Sequence, residues 1–149
     1  MNKGLIKINQ QQTQLCILFF SWIIVQSFLY TYYGIKPILE SEKYIGAAKY
    51  LIANGHLPQL RYSFYLTTTL LIAFCTKLGL GFAGVVALQL ILNFLATFLF
   101  FKALFKLQTH SYSALCTTLL LIFNIPYQTW NFYLYTESVF YSFVLLFFT

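Results

Sequence analysis

Apolar residues in this chain gather into long unbroken runs, without the 3.6-residue rhythm of a helix that faces water on one side. Two runs, "LCILFFSWIIVQSFLYTYY" (15–33) and "FAGVVALQLILNFLATFLFF" (82–101), have about the 20 residues that cross a ~30 Å hydrocarbon core. A third, "SALCTTLLLIFNI" (113–125), begins a span expected over about 112–126 and ended by Pro126. The last run, Ser138 to Thr149 within a span expected over 137–149, covers roughly 18 Å at helical rise and stops before it could cross. It reads as a truncated fourth span, and the chain as the amino-terminal part of something longer.

The stretch between the first two runs has a different pattern. In "GIKPILESEKYIGAAKYLIANGHLPQLR" (34–61), Tyr44, Ala47, Ala48, Leu51 and Ile52 fall on one stripe of an amphipathic helix expected over 42–54. Ser41 is the candidate N-cap, Gly55 the left-handed terminator, and Pro58 follows. A lysine-bearing face opposite that stripe fits a helix lying on a bilayer surface. Residues 62–81, "YSFYLTTTLLIAFCTKLGLG", have only a short apolar centre. They are readable as a span or, preferably, as a second interfacial helix over 62–78.

Composition agrees with the runs. The chain is 60% hydrophobic, 21% aromatic and 8% charged, with a mean hydropathy of +0.74. Soluble domains carry roughly 25% charged residues, so the expected class is an all-α, multi-pass integral membrane protein of the inner (plasma) membrane. The net charge of +6 then belongs to orientation and lipid phosphate rather than to nucleic acid. Cys16, Cys75 and Cys116 lie inside apolar runs without metal-ligand spacing and read as small buried hydrophobes. No metal or cofactor is expected.

Lys3 and Lys7 precede a run too long for a cleaved signal peptide, so residues 1–14 are expected in the cytoplasm and 15–149 form the membrane domain. If 62–81 is interfacial, Lys102 and Lys106 join Lys3 and Lys7 inside, as basic residues prefer. Residues 34–81 then form one outer loop, and Glu40 and Glu137 face the same outer side. Tyr30, Tyr32 and Tyr33 would share an aromatic belt with Tyr127, Trp130, Tyr133 and Tyr135. If 62–81 spans, the two glutamates fall on opposite sides.

With both acids outside, the chemistry suits a charged lipid at the bilayer face. A carboxylate can accept a proton from an acceptor hydroxyl. Arg61, Lys43 or Lys49 can hold a departing phosphate. Each residue also has a plain reading: Glu40 and Glu42 at a helix N-terminus, Glu137 capping the next helix, Arg61 and the lysines as interface anchors. His56 reads as a loop histidine, and His110 has no role. A channel would need inward polar residues on several spans, and only Gln89 and Asn93 offer such a pair.

"ESEKYIGAAKYLIANGHLP" (40–58) resembles the DSxxYxxxAxxLxxxG segment in the first outer loop of GT-C glycosyltransferases of the protein mannosyltransferase and aminoarabinose transferase type. "NIPYQTWNFYLYTESVF" (124–140) resembles their later segment, where an acidic residue after Thr opens the fourth span. The resemblance covers nearly all of the chain from residue 15 onward. It implies transfer of a sugar from a polyprenyl-phosphate donor at the outer membrane face, to an acceptor it does not specify. Glu40 falls on the family's catalytic Asp, a general base; Tyr44 on the pattern tyrosine; Gly55 on the closing glycine. Glu137 falls on the later acid, and Arg61 near the donor phosphate. This chain departs from the pattern in having Glu where the family has Asp. The alternative is a non-catalytic membrane protein: a transporter or assembly subunit, or the inactive remnant of a split gene.

Overall fold

The computed structural model describes residues 3–38, 40–107 and 111–149, all helical apart from short connections and one isolated backbone bridge. His110 lies outside the described residues. Helix α1 (Lys3–Tyr33) runs unbroken for 31 residues and takes in most of the expected cytoplasmic N-terminus. Gly34, at φ 61°, ends it, its N–H donating to the Tyr30 carbonyl at 2.9 Å.

Helix α2 (Ser41–Asn54) buries Tyr44, Ala47 and Ala48 as its stripe requires, while Leu51 is half-buried and Ile52 is exposed. Gly55 ends it in the left-handed region at φ 75°. Ser41 is not the cap. It is the first helical residue, fully buried, and its hydroxyl turns back to donate to the Lys36 carbonyl at 3.4 Å. The expected helix over 62–78 divides into a 3-10 helix (Leu60–Tyr65) and α3 (Leu66–Lys77), which packs on α2. At 12 residues, α3 is roughly 18 Å long, well short of a ~30 Å core.

Helix α4 (Gly81–Leu107) is the central post, in contact with α1, α3, α5 and α7. It continues past the expected end at residue 101 and carries Lys102 and Lys106 in its last turns. Its direction is opposite to that of α1: Trp22 meets Asn93, and nearer the start of α1, Leu15 lies beside Lys102. The start of α1 and the end of α4 therefore share one end of the bundle. Among the described residues, Gln10–Tyr33 and Gly81–Leu107 are long and apolar enough to cross a membrane.

The third run is interrupted. Helix α5 (Ser111–Ile122) stops at Asn124, whose side chain accepts from the Tyr127 N–H at 3.2 Å and starts α6 (Ile125–Thr129). Pro126 sits in that first turn, where its missing N–H is harmless. The helix expected over 112–126 is thus only 12 residues long. A 3-10 turn (Trp130–Phe132) leads into α7 (Thr136–Phe147).

Behind α6 lies a set of buried amides that the run pattern conceals. Gln26 donates to Gln128 at 2.6 Å, Asn131 donates to the same oxygen at 3.1 Å, and Ser138 donates to Asn131 at 2.8 Å. Gln128 also donates to the Leu121 carbonyl at 3.1 Å, which accepts from the Asn124 N–H at 3.3 Å as well, so the end of α5 is tied to α6. Inward polar residues thus come from α1, α4, α6 and α7, more than the Gln89 and Asn93 pair. Among the cysteines only Cys75 is buried; Cys16 and Cys116 are exposed, so the expectation of three buried thiols fails for two.

Candidate functional site

Glu40 and Glu137 are brought together by two long-range hydrogen bonds. Past Gly34, the Lys36 N–H donates to the Phe132 carbonyl at 2.9 Å, and the Tyr135 hydroxyl donates to the Ile38 carbonyl at 3.0 Å. The segment leading into α2 is thereby stitched to the segment leading into α7. Each glutamate falls in or beside the first turn of its helix, where the positive end of the helix dipole favours a carboxylate.

Both acids line one cavity of about 340 Å³, with Tyr44, Tyr65, Thr136 and Phe140. A second cavity of about 240 Å³ is lined by Lys43, Arg61 and Tyr62, together with the same Tyr44 and Tyr65. Those two rings, 5.2 Å apart at their centroids, form the common wall. One side of the wall is acidic and the other basic.

The two acids differ in circumstance. Glu40 is exposed, and the Lys43 ammonium donates to it at 2.7 Å, an i,i+3 pair on one helix face. The hydrogen bond and charge of Lys43 hold the Glu40 carboxyl below its usual range, and Glu40 in turn raises Lys43. The Tyr44 hydroxyl donates to the other Glu40 oxygen at 3.4 Å, a long contact. Burial raises Tyr44 above the ordinary phenol value, and the neighbouring carboxylates add to that. Glu137 is half-buried and, among the described residues, has neither a hydrogen bond nor an ion pair. It does not cap α7 with its side chain.

Of the sequence-predicted residues, Glu40, Glu137, Lys43, Tyr44 and Arg61 meet around the two cavities. Arg61 lies over the Tyr62 ring at 5.3 Å and is exposed, with no carboxylate partner among the described residues. Lys49 is elsewhere, at a cleft of about 190 Å³ with Ile45, Ile72 and Phe82. Tyr65, Thr136 and Phe140 were not foreseen. Tyr65 ends a 3-10 helix in "RYSFY", whose aromatics give no phase from which an inward position can be read.

The arrangement can bind an anion on the basic side and hold a proton acceptor within one side chain's width of it. No family model, no curated protein and no solved structure matches this chain.

Proposed function

We propose that the chain is a multi-pass membrane protein whose outer-face site transfers a sugar from a polyprenyl-phosphate donor to an acceptor, as the GT-C resemblance implies. One observation carries the reading: two carboxylates, 97 residues apart in sequence, line a single cavity that shares a wall with a pocket holding Lys43 and Arg61. The donor phosphate sits against Arg61 and Lys43. The acceptor oxygen attacks the anomeric carbon, the bond from that carbon to the phosphate oxygen breaks, and the acceptor proton passes to a carboxylate. Negative charge grows on the leaving phosphate, where the guanidinium meets it.

Membrane residence is supported by the two long apolar helices and by the large side chains they leave uncovered, such as Phe20, Ile24, Phe28, Ile91 and Leu95. The opposite directions of α1 and α4, with a 12-residue α3 between them, favour residues 62–81 at the interface. Irregular backbone around residues 123–135 is tolerable at membrane depth because side chains and neighbouring helices satisfy it.

The Lys43–Glu40 pair favours the second reading, a non-catalytic membrane subunit, since a carboxylate held by an ammonium is a weak base. In the transferase reading a donor phosphate competes for Lys43 and releases Glu40.

Two measurements separate these readings. The first is release of polyprenyl phosphate from a panel of polyprenyl-phosphate hexoses and pentoses by membranes holding the full chain. Turnover lost by roughly 10²–10⁴-fold in Glu40→Gln or Glu137→Gln supports transfer; inert wild-type membranes support the subunit. The second is labelling with an impermeant maleimide in a variant lacking Cys16, Cys75 and Cys116. Glu42→Cys and Glu137→Cys label in intact cells and Leu107→Cys does not. Labelling of Glu42→Cys without Glu137→Cys breaks the shared site.

A further inference from the structure

At the end of the bundle away from the two glutamates, α1 and α4 enclose a groove of about 390 Å³. That lies within the ~300–1,000 Å³ typical of small-ligand sites. Its walls are almost wholly apolar, built by Leu15 and Phe19 of α1 and Phe94, Phe98 and Leu99 of α4, and one cation, Lys102, stands at its edge. The aromatic wall is ordered: Phe94 and Phe98 lie 4.3 Å apart, and Phe19 meets Phe94 edge-on at 6.0 Å.

Lys102 is exposed and has no ion pair among the described residues. The chain has only three acids, Glu40, Glu42 and Glu137. The Tyr135 carbonyl, two residues before Glu137, accepts from Gln89, more than three turns of α4 away from Lys102. Lys106 follows one turn beyond Lys102, and Lys3 and Lys7 lie on the first turns of α1, at the same end. Among the described residues no glutamate pairs with Lys102, which leaves its ammonium open to an external anion.

The geometry points to a binding site for an anionic phospholipid, with one acyl chain along the phenylalanine wall and the phosphate on Lys102. A neutral apolar ligand would leave the ammonium unanswered, and a free phosphate would leave the groove empty. Only an amphiphile with an anionic head answers both features. The inference rests on the membrane reading above and is independent of the transferase reading. The site would anchor the α1–α4 pair in the leaflet facing the cytoplasm.

The test is native mass spectrometry of the full chain released from a mild detergent, titrated with phosphatidylglycerol and with phosphatidylcholine of the same chains. Wild type retains phosphatidylglycerol about fivefold more tightly, the effect of one lysine near a lipid phosphate. Lys102→Gln removes that preference, and Lys77→Gln, at the far end of α3, leaves it. Leu95→Trp, which fills the groove with Lys102 in place, weakens retention of both lipids. Equal retention of the two lipids by wild type overturns the proposal, as does a preference that survives Lys102→Gln. A chain that stays dispersed without detergent or lipid sinks the membrane reading as well. Loss of sugar transfer alone touches neither.

Discussion

The two ends of the α1–α4 pair solve opposite problems. At one end the chain gathers its acids, an arginine, several tyrosines and its irregular backbone, and fastens them with long-range hydrogen bonds. At the other end an apolar groove carries one cation, Lys102, which has no ion pair among the described residues. Charge separated along the axis in this way suits a molecule fixed across a bilayer: a polar end for chemistry in water, a basic end for lipid phosphate. It also shows where precision is needed. The groove needs only shape and one charge, whereas the polar end needs Glu40 and Glu137 held in register by residues remote in sequence.

The largest expected effect comes from breaking that register without touching a charge. Gln128 is fully buried and bonded to Gln26, Asn131 and the Leu121 carbonyl. Gln128→Leu takes this partner from two buried amides, Gln26 and Asn131, at about 1–3 kcal/mol for each one left unsatisfied, and leaves the Leu121 carbonyl with the Asn124 N–H alone. The unfolding midpoint in detergent should fall by several degrees, and sugar transfer should fall with it. An unchanged midpoint would mean that water already satisfies those groups. Next in size is Arg61→Ala, which removes a site cation that has no carboxylate partner among the described residues. A charged hydrogen bond is worth about 1.5–3 kcal/mol, so donor affinity should drop roughly tenfold or more in the polyprenyl phosphate release assay. Equal affinity would move the phosphate elsewhere.

How far the sequence foretold this depended on the kind of information each feature carries. The α1 and α4 runs are legible because apolar length is a one-dimensional signal. The face of α2 was legible too: Glu40, Lys43 and Tyr44, spaced i, i+3 and i+4, meet as helical geometry requires. The same arithmetic separates Lys49, which lies six residues and roughly 120° of rotation from Lys43, and the structure finds it at another cleft. The break at Asn124 was hidden inside an apolar run that only Pro126 punctuates. The bond from Lys36 to Phe132 joins two loops through backbone groups, and the Tyr135 hydroxyl reaches the Ile38 carbonyl, again a backbone group, which every residue carries, so no pattern of side chains announces the partners. Tyr65 and Thr136 enter the site by that folding alone.

The smallest expected effect is also the sharpest on mechanism, because it moves a pH profile and not a rate. Lys43 holds the Glu40 carboxyl below its ordinary value. A group depressed in this way keeps its charge at every pH above the usual carboxylate range and loses it only as pH falls through the lowered value. With Lys43→Met, the hydrogen bond and the charge both go, and the Glu40 carboxyl returns upward toward its ordinary value. If Glu40 is the base, the acid limb of the transfer rate moves up with it, while the rate well above that limb holds or rises because the freed carboxylate is more basic. If Glu137 is the base, the limb stays in place and only donor affinity weakens. Glu40 and Glu137 share one cavity, and the direction of that limb assigns the proton to one of them.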